Sequence, residues 1–326
     1  MVDSVSLSTS RRTMLAGMGL VTLAGLGGCA TVPVRNKPFF EEAKLPIGLQ
    51  TYTLGEEAGK DLDATFAQVA AIGFGEIELP GLYGRSAAEV RRAADKAGLA
   101  ISCMHIPMAG MTPGGALTLA SSTSQIVETA QTLGITEMVV PIMKFPADAR
   151  PREGETFLQS LTRGIKAAGP DLWKETADAL NESAAALKPH GIALGYHNHN
   201  VEFMLFGAET GWDILIARTD PALVQFEVDV GWIAASGRDP VSFFGDHIGR
   251  VRWMHVKDIA AGTSPNTALQ MIPAEVGYGT LDWRRILPAA HAAGVRRFYL
   301  EQEPPFTMAR IDAARKGYQF LETLVV

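Results

Sequence analysis

Four stretches of the chain stay apolar for the length of a strand and then stop on a carboxylate or an imidazole. They are Ile192-Ala-Leu-Gly-Tyr-His197-Asn-His199-Asn-Val-Glu202-Phe203, Val224-Gln-Phe-Glu227-Val-Asp229, Val251-Arg-Trp-Met-His255-Val-Lys257-Asp258 and Phe298-Tyr-Leu-Glu301-Gln-Glu303. A buried strand that ends this way delivers ligating side chains to the rim of a sheet or barrel. The four ends are expected to converge on one divalent cation, and a set of carboxylates with imidazole suits Mn²⁺, Mg²⁺, Co²⁺ or Zn²⁺. Taken singly, Asp229 reads as a helix cap and His255 as a satisfied core histidine; their shared place at strand ends argues for a site. The two-residue strand period puts Glu227 on the face of Asp229 and Lys257 on the face of His255. Lys257 is read as an oxyanion partner or acid, with pairing to Asp258 or Glu227 as the alternative. His105 closes a fifth run, Leu99 to His105, as a hydroxyl-binding group or general acid. Trp232, Tyr52, Tyr83 and Trp253 are candidates for an aromatic wall, although core packing is the commoner role of such rings.

Eight strand and helix units alternate to position these residues. Strands are expected at 47–53, 75–79, 99–105, 136–141, 192–197, 224–229, 251–255 and 296–301. Helices are expected at 62–72, 86–97, 117–133, 171–188, 212–218, 240–247, 282–293 and 311–324, and a polar excursion at 144–170 has room for another. Ser86 with Glu89 and Gly98, and Gly134, supply helix punctuation. The alternation predicts an α/β fold, a single-domain (β/α)8 TIM barrel, with functional groups ending many strands. An open doubly wound sheet would show a glycine-rich fingerprint after its first strand, and none is present. Gly277-Tyr-Gly279 is a weak phosphate-loop signal, because no lysine or arginine lies between Asp258 and Leu281.

The first residues read as a processing signal. Ser10-Arg11-Arg12-Thr13-Met14-Leu15 is a twin-arginine pattern, an apolar stretch follows, and Leu26-Gly27-Gly28-Cys29 resembles a lipobox. Residues 1–28 are expected to be removed, Cys29 to be lipidated, 29–44 to be a tether and 45–326 to be the barrel. That places the protein on the periplasmic side of a bacterial membrane, exported by the twin-arginine route and held only by its lipid. With Cys29 lipidated, Cys103 has no partner for a disulfide. A net charge of −6 without basic runs argues against a nucleic-acid partner.

From about residue 45 the chain resembles the xylose isomerase-like TIM barrels, the sugar phosphate isomerase/epimerase family that includes ketose 3-epimerases, inosose dehydratases and endonuclease IV barrels. The resemblance rests on Gly48-Leu-Gln-Thr-Tyr-Thr, Gly195-Tyr-His-Asn-His-Asn-Val-Glu-Phe, Asp229-Val-Gly-Trp, His255-Val-Lys-Asp, Val276-Gly-Tyr-Gly-Thr-Leu-Asp-Trp and Leu300-Glu-Gln-Glu. It implies a divalent metal held by Asp229, His255 and Glu301, with Glu202 as fourth ligand; alternatively His197 or His199 ligates and Glu202 binds substrate. Together with the strand-end positions, this gives Glu202, Glu301, Lys257 and His105 as expected catalytic groups, and His197, His199, Glu227 and Trp232 around a sugar. The expected activity is isomerisation or epimerisation of an unphosphorylated sugar through an enediolate. A dehydratase or keto-glycoside lyase is the alternative, because Tyr196-His-Asn-His resembles the inosose dehydratases. A non-catalytic sugar-binding lipoprotein is the other class, and an oligomer is left open.

Overall fold

The computed structural model describes residues 37–108 and 116–326; the signal segment and Cys29 lie outside them. Eight parallel strands close into a barrel: β1 (Gly48–Gln50), β2 (Glu76–Leu79), β3 (Ala100–His105), β4 (Glu137–Val140), β5 (Ala193–His197), β6 (Val224–Asp229), β7 (Val251–Val256) and β8 (Arg297–Leu300). Each strand pairs with its neighbours in sequence, and β1 closes the ring on β8 with Gly48 opposite Tyr299 and Leu49 opposite Leu300. The single-domain (β/α)8 barrel expected from the alternation is therefore the fold. Every residue of β2 and β4 is buried, as strands covered on both faces require.

Outer helices start where side chains can take up free backbone N–H groups. Ser86 and Glu89 form a capping box before Ala87–Ala97, and Gly98 closes that helix in the left-handed conformation. The helix expected from 117 begins only at Thr123, because Ser122 caps it reciprocally with Gln125. The excursion at 144–170 holds Phe157–Ala168. The loop at 258–280 carries a two-stranded ladder, Asp258–Ile259 with Pro273–Ala274. A short helix missing from the sequence reading, Val230–Ala235, starts directly from Asp229.

The tether boundary needs correction at its carboxyl end. Phe39–Ala43 is a helix whose Phe39 and Phe40 are buried edge-on against Phe298, and the Phe39 N–H donates to the Leu324 carbonyl 2.8 Å away. Two aromatic rings with core to fill do not stay in a solvated linker. The packed part of the chain thus reaches back to residue 39.

Inside the barrel, the amino-terminal end is closed by ion pairs. Arg297 bridges Glu76 and Glu137, and the Trp253 indole N–H donates to Glu137 at 3.0 Å. Gly195 makes room for this indole, since a Cβ there would lie 2.6 Å from it. Cys103 is buried beside Trp253 and Tyr299, and burial raises its thiol well above the ordinary value, so it is inert packing.

Candidate metal centre

The opposite end of the barrel is where seven of the eight strands present polar groups. Gln50 comes from β1, Glu78 from β2, His105 from β3 and His197 from β5. Glu227 and Asp229 come from β6, His255 and Lys257 from β7 and its extension, and Glu301 and Glu303 from the residues after β8. Of these, Glu78, Glu227, Asp229 and His255 are wholly buried. Burying so many charges is tolerable only if each is met by an opposite charge or a donor.

His255 is the hub. Its Nδ1 lies 2.7 Å from Glu301 Oε2, and its Nε2 lies 2.7 Å from Glu78 Oε2 and 3.2 Å from Glu227 Oε2. Burial opposes a charge on His255, but the carboxylates of Glu227 and Glu301 outweigh it and push its pKa well up. The same Glu227 oxygen meets His105 Nε2 and His197 Nδ1, each at 3.1 Å. Against the cost of burial, Glu78 and Glu227 raise His105 to about 9. Burial and the nearby His255 lower His197 instead. Glu227 is ionised despite burial because His255, His105 and His197 surround it.

Lys257 gathers the remaining acids. Its Nζ is 2.7 Å from Asp229 Oδ2, 2.7 Å from Glu301 Oε2 and 3.1 Å from Glu303 Oε1. These partners replace the Asp258 and Glu227 pairing considered from sequence. Burial would raise the pKa of Asp229, but Lys257 and His255 hold it below its ordinary value. Glu303 is raised by burial although Lys257 opposes the shift. Tyr52 beside it is half exposed, and the Glu303 charge pushes its phenol up to about 12.

Among the described residues, two groups stand close enough to hold an ion. Ligand atoms of Asp229, His255 and Glu301 lie within 4.8 Å of one another, as do those of His105, His197, Glu227 and His255. The second oxygens of Glu78 and Glu227 are buried without a hydrogen-bond partner. Such a set of buried carboxylates and imidazoles fits a divalent cation of the Mg²⁺, Mn²⁺, Co²⁺ or Zn²⁺ type. Imidazoles backed by carboxylates are also the usual way ligating rings are oriented.

Glu202 joins neither group, against the expectation that it completes the shell. One of its oxygens accepts from the Tyr196 hydroxyl at 2.7 Å and the other from the His199 N–H at 2.9 Å. Burial raises it to about 7. The carboxylate fixes the turn that presents the histidines rather than reaching past it. Asn198 accepts from the Asp229 N–H at 3.1 Å, tying β5 to β6, while Asn200 accepts from the Leu269 N–H at 2.9 Å. Among the aromatic candidates, Trp232 borders the cluster closely: Lys257 Nζ stands 5.3 Å from its ring centroid, and the His199 ring lies tilted against it with centroids 5.4 Å apart. The Trp232 indole Nε1 and His199 Nδ1 are buried and without hydrogen-bond partners. Trp253 lies in the barrel floor, and Tyr83 donates to Thr51.

Asp258 accounts for the glycine loop. Its oxygens accept from the N–H groups of Gly277, Gly279, Thr280 and Leu281 between 3.0 and 3.2 Å, and from the Trp283 indole at 2.9 Å. The donors that could have cradled a phosphate are already occupied by a carboxylate of the chain itself. Sequence reading also missed Glu78 and Gln50, whose amide donates to Glu78 at 2.8 Å. The available signal was the inward period that Glu78 shares with Glu76.

A closed parallel barrel with its buried polar cluster at the carboxyl ends of the strands defines a (β/α)8 protein built around a mouth site. The chain belongs to the xylose isomerase-like TIM barrel family, whose model matches residues 66–324. An inosose dehydratase from Geobacillus thermodenitrificans is 28% identical over 164 residues, 46% of this chain and 53% of that protein. An inosose dehydratase from Clostridium tetani is 35% identical over 89 residues, 27% of this chain and 28% of that protein. The chain thus matches about half, or less, of the length of these relatives. A solved sugar phosphate isomerase/epimerase from Parabacteroides distasonis is 25% identical, with a TM-score of 0.64 over 84% of this chain and 96% of that one.

Proposed function

We propose that this protein is a divalent-metal-dependent lyase that removes water, or another β-leaving group, from an unphosphorylated polyhydroxylated ketone of the sugar or inosose class. The similarity to inosose dehydratases supports the substrate class. The observation that carries the reaction type is the Lys257 ammonium held among Asp229, Glu301 and Glu303. Departure of a hydroxyl as water needs a proton donor for the leaving oxygen beside the base that takes the carbon-bound hydrogen, and a buried ammonium among carboxylates supplies that pair.

Asp229, His255 and Glu301 would hold the ion. When bound, it supplies Lewis acidity that makes a hydrogen beside the substrate carbonyl easier to remove. His197, its Nδ1 committed to Glu227, presents Nε2 as a proton acceptor, while Lys257 and His105 carry protons that can pass to the departing oxygen. Trp232 and His199 supply an uncharged wall whose indole Nε1 and imidazole Nδ1 are free to meet hydroxyls. Occupation of the glycine loop by Asp258 supports a substrate without phosphate at that end.

Isomerisation or epimerisation is the second reading, supported by the Parabacteroides structure aligned over 84% of the chain. Incubating an inosose with Mn²⁺ and protein in D₂O separates the readings by NMR. Loss of water with appearance of an unsaturated ketone is expected. Deuterium uptake with an unchanged or inverted carbon skeleton would replace the lyase by an isomerase or epimerase, and no exchange with tight binding would make the protein a sugar binder.

A further inference from the structure

An ammonium has three protons, and that of Lys257 meets three carboxylates, Asp229 and Glu301 at 2.7 Å and Glu303 at 3.1 Å. The side chain is almost wholly buried. Its stem lies against Gly231, where a Cβ would come within 2.8 Å of Lys257 Cγ, so the backbone of the helix after β6 fixes the stem and leaves the head to choose its partners.

Two of the three partners, Asp229 and Glu301, are the acids that stand with His255 within 4.8 Å as a ligand group. Asp229 Oδ2 has no hydrogen-bond acceptor role other than its ion pair with Lys257, its imidazole neighbours lying 3.8 Å off. Glu301 Oε2 is shared by Lys257 and His255. A divalent ion sits about 2.0–2.2 Å from carboxylate oxygens. An ion bonded to these two oxygens would therefore crowd Nζ, and two cations at that separation repel strongly in a buried site. Glu303 differs from the other two: it stands outside both ligand groups, and its side chain is 19% exposed.

We propose that Lys257 is the resident counter-cation of the Asp229 and Glu301 pair, which a divalent ion must displace, with Glu303 retaining the ammonium. Lys257 then sets the metal affinity of the site. The inference rests on the reading that the site takes a divalent ion, and it holds whichever reaction the protein performs. The competing arrangement is an ion among His105, His197, Glu227 and His255, which leaves Lys257 on Asp229 and Glu301.

Crystals of the wild-type protein soaked in Mn²⁺, with the ion located by anomalous scattering, decide between the two. The expected result is a peak bounded by Asp229, His255 and Glu301, with Nζ withdrawn from both carboxylates and still on Glu303. A peak among His105, His197 and Glu227 with Nζ unmoved overturns the proposal. Calorimetry gives an independent reading: Lys257→Met should bind Mn²⁺ about tenfold tighter or more than wild type, since removal of one buried charge is worth at least that factor. Equal or weaker binding by a folded Lys257→Met variant, or no binding by either protein, also overturns it. Neither measurement uses turnover, so a failure to find a sugar substrate leaves the outcome readable.

Discussion

Asp229 carries three tasks in one carboxylate: it pairs with Lys257, faces His255, and accepts the Trp232 N–H at 3.1 Å as the cap of the helix that follows β6. Asp229→Ala should lower divalent-metal affinity by at least about a hundredfold and abolish turnover, because a ligand is lost and Lys257 keeps one partner fewer. Metal analysis after dialysis tests this, and full occupancy in the variant would remove Asp229 from the shell. Glu202 makes a different prediction. Its pKa is raised from an ordinary 4.5 to about 7, chiefly by burial. Between those values the folded state binds more protons than the unfolded one, so stability falls as pH rises from 4.5 towards 7 and stays lower above it. Glu202→Gln should flatten that part of the profile, with thermal midpoints measured at pH 5 and pH 8 differing less than in wild type. An unchanged difference would show that Glu202 does not titrate in this window.

At the scale of elements, the site depends on loops held by side chains that do no chemistry. Asp258 holds four backbone N–H groups, that of Thr280 shared with the Ile259 carbonyl, and the Trp283 indole of the segment after β7. Asp258→Ala leaves the N–H groups of Gly277, Gly279 and Leu281 and the Trp283 indole without this acceptor, while Thr280 keeps the Ile259 carbonyl; at about 1 kcal/mol or more for each buried donor the loss should reach about 3 kcal/mol. Hydrogen exchange should speed up at 277–283 and little elsewhere; uniform protection would mean the loop has other anchors. These anchors explain what was legible in the sequence. The strand ends at Asp229, His255 and Glu301 were readable because apolar runs end on them, and the strands were located to within a few residues for the same reason. Glu78 was passed over because Glu76-Ile-Glu78-Leu reads simply as a strand with polar alternation, and its meaning comes from Gln50 and His255, which are distant in sequence. Glu202 was misplaced because its distance from His197 along the chain says nothing about the turn, in which Tyr196 and the His199 N–H claim both its oxygens. The Asn198 and Asn200 amides carried no periodic signal at all, since their work is to tie one loop to another.

For the whole molecule, the barrel separates its two ends: ion pairs and aromatic packing close the amino-terminal end, and the polar cluster opens the other. Phe39 and Phe40 belong to the closed end, packed against Phe298 and tied by the Phe39 N–H to Leu324, so the first described helix and the last strand and helix of the ring share one cluster. The β1 and β8 pairing that closes the barrel lies beside them. Truncating either ring should cost about 3–5 kcal/mol, the range for buried Phe→Ala substitutions. The two rings touch each other at a centroid distance of 5.1 Å and both meet Phe298, so Phe39→Ala with Phe40→Ala should cost less than the sum of the single variants. Metal affinity and turnover per folded molecule should stay at wild-type levels, because the site is built from strand ends at the far side of the barrel. Denaturant unfolding of the three variants, alongside metal titration, tests both halves of the argument. A truncation that left stability intact would return residues 39–44 to the tether, and one that weakened metal binding in folded protein would show that closure of the ring at its floor helps to set the geometry at its mouth.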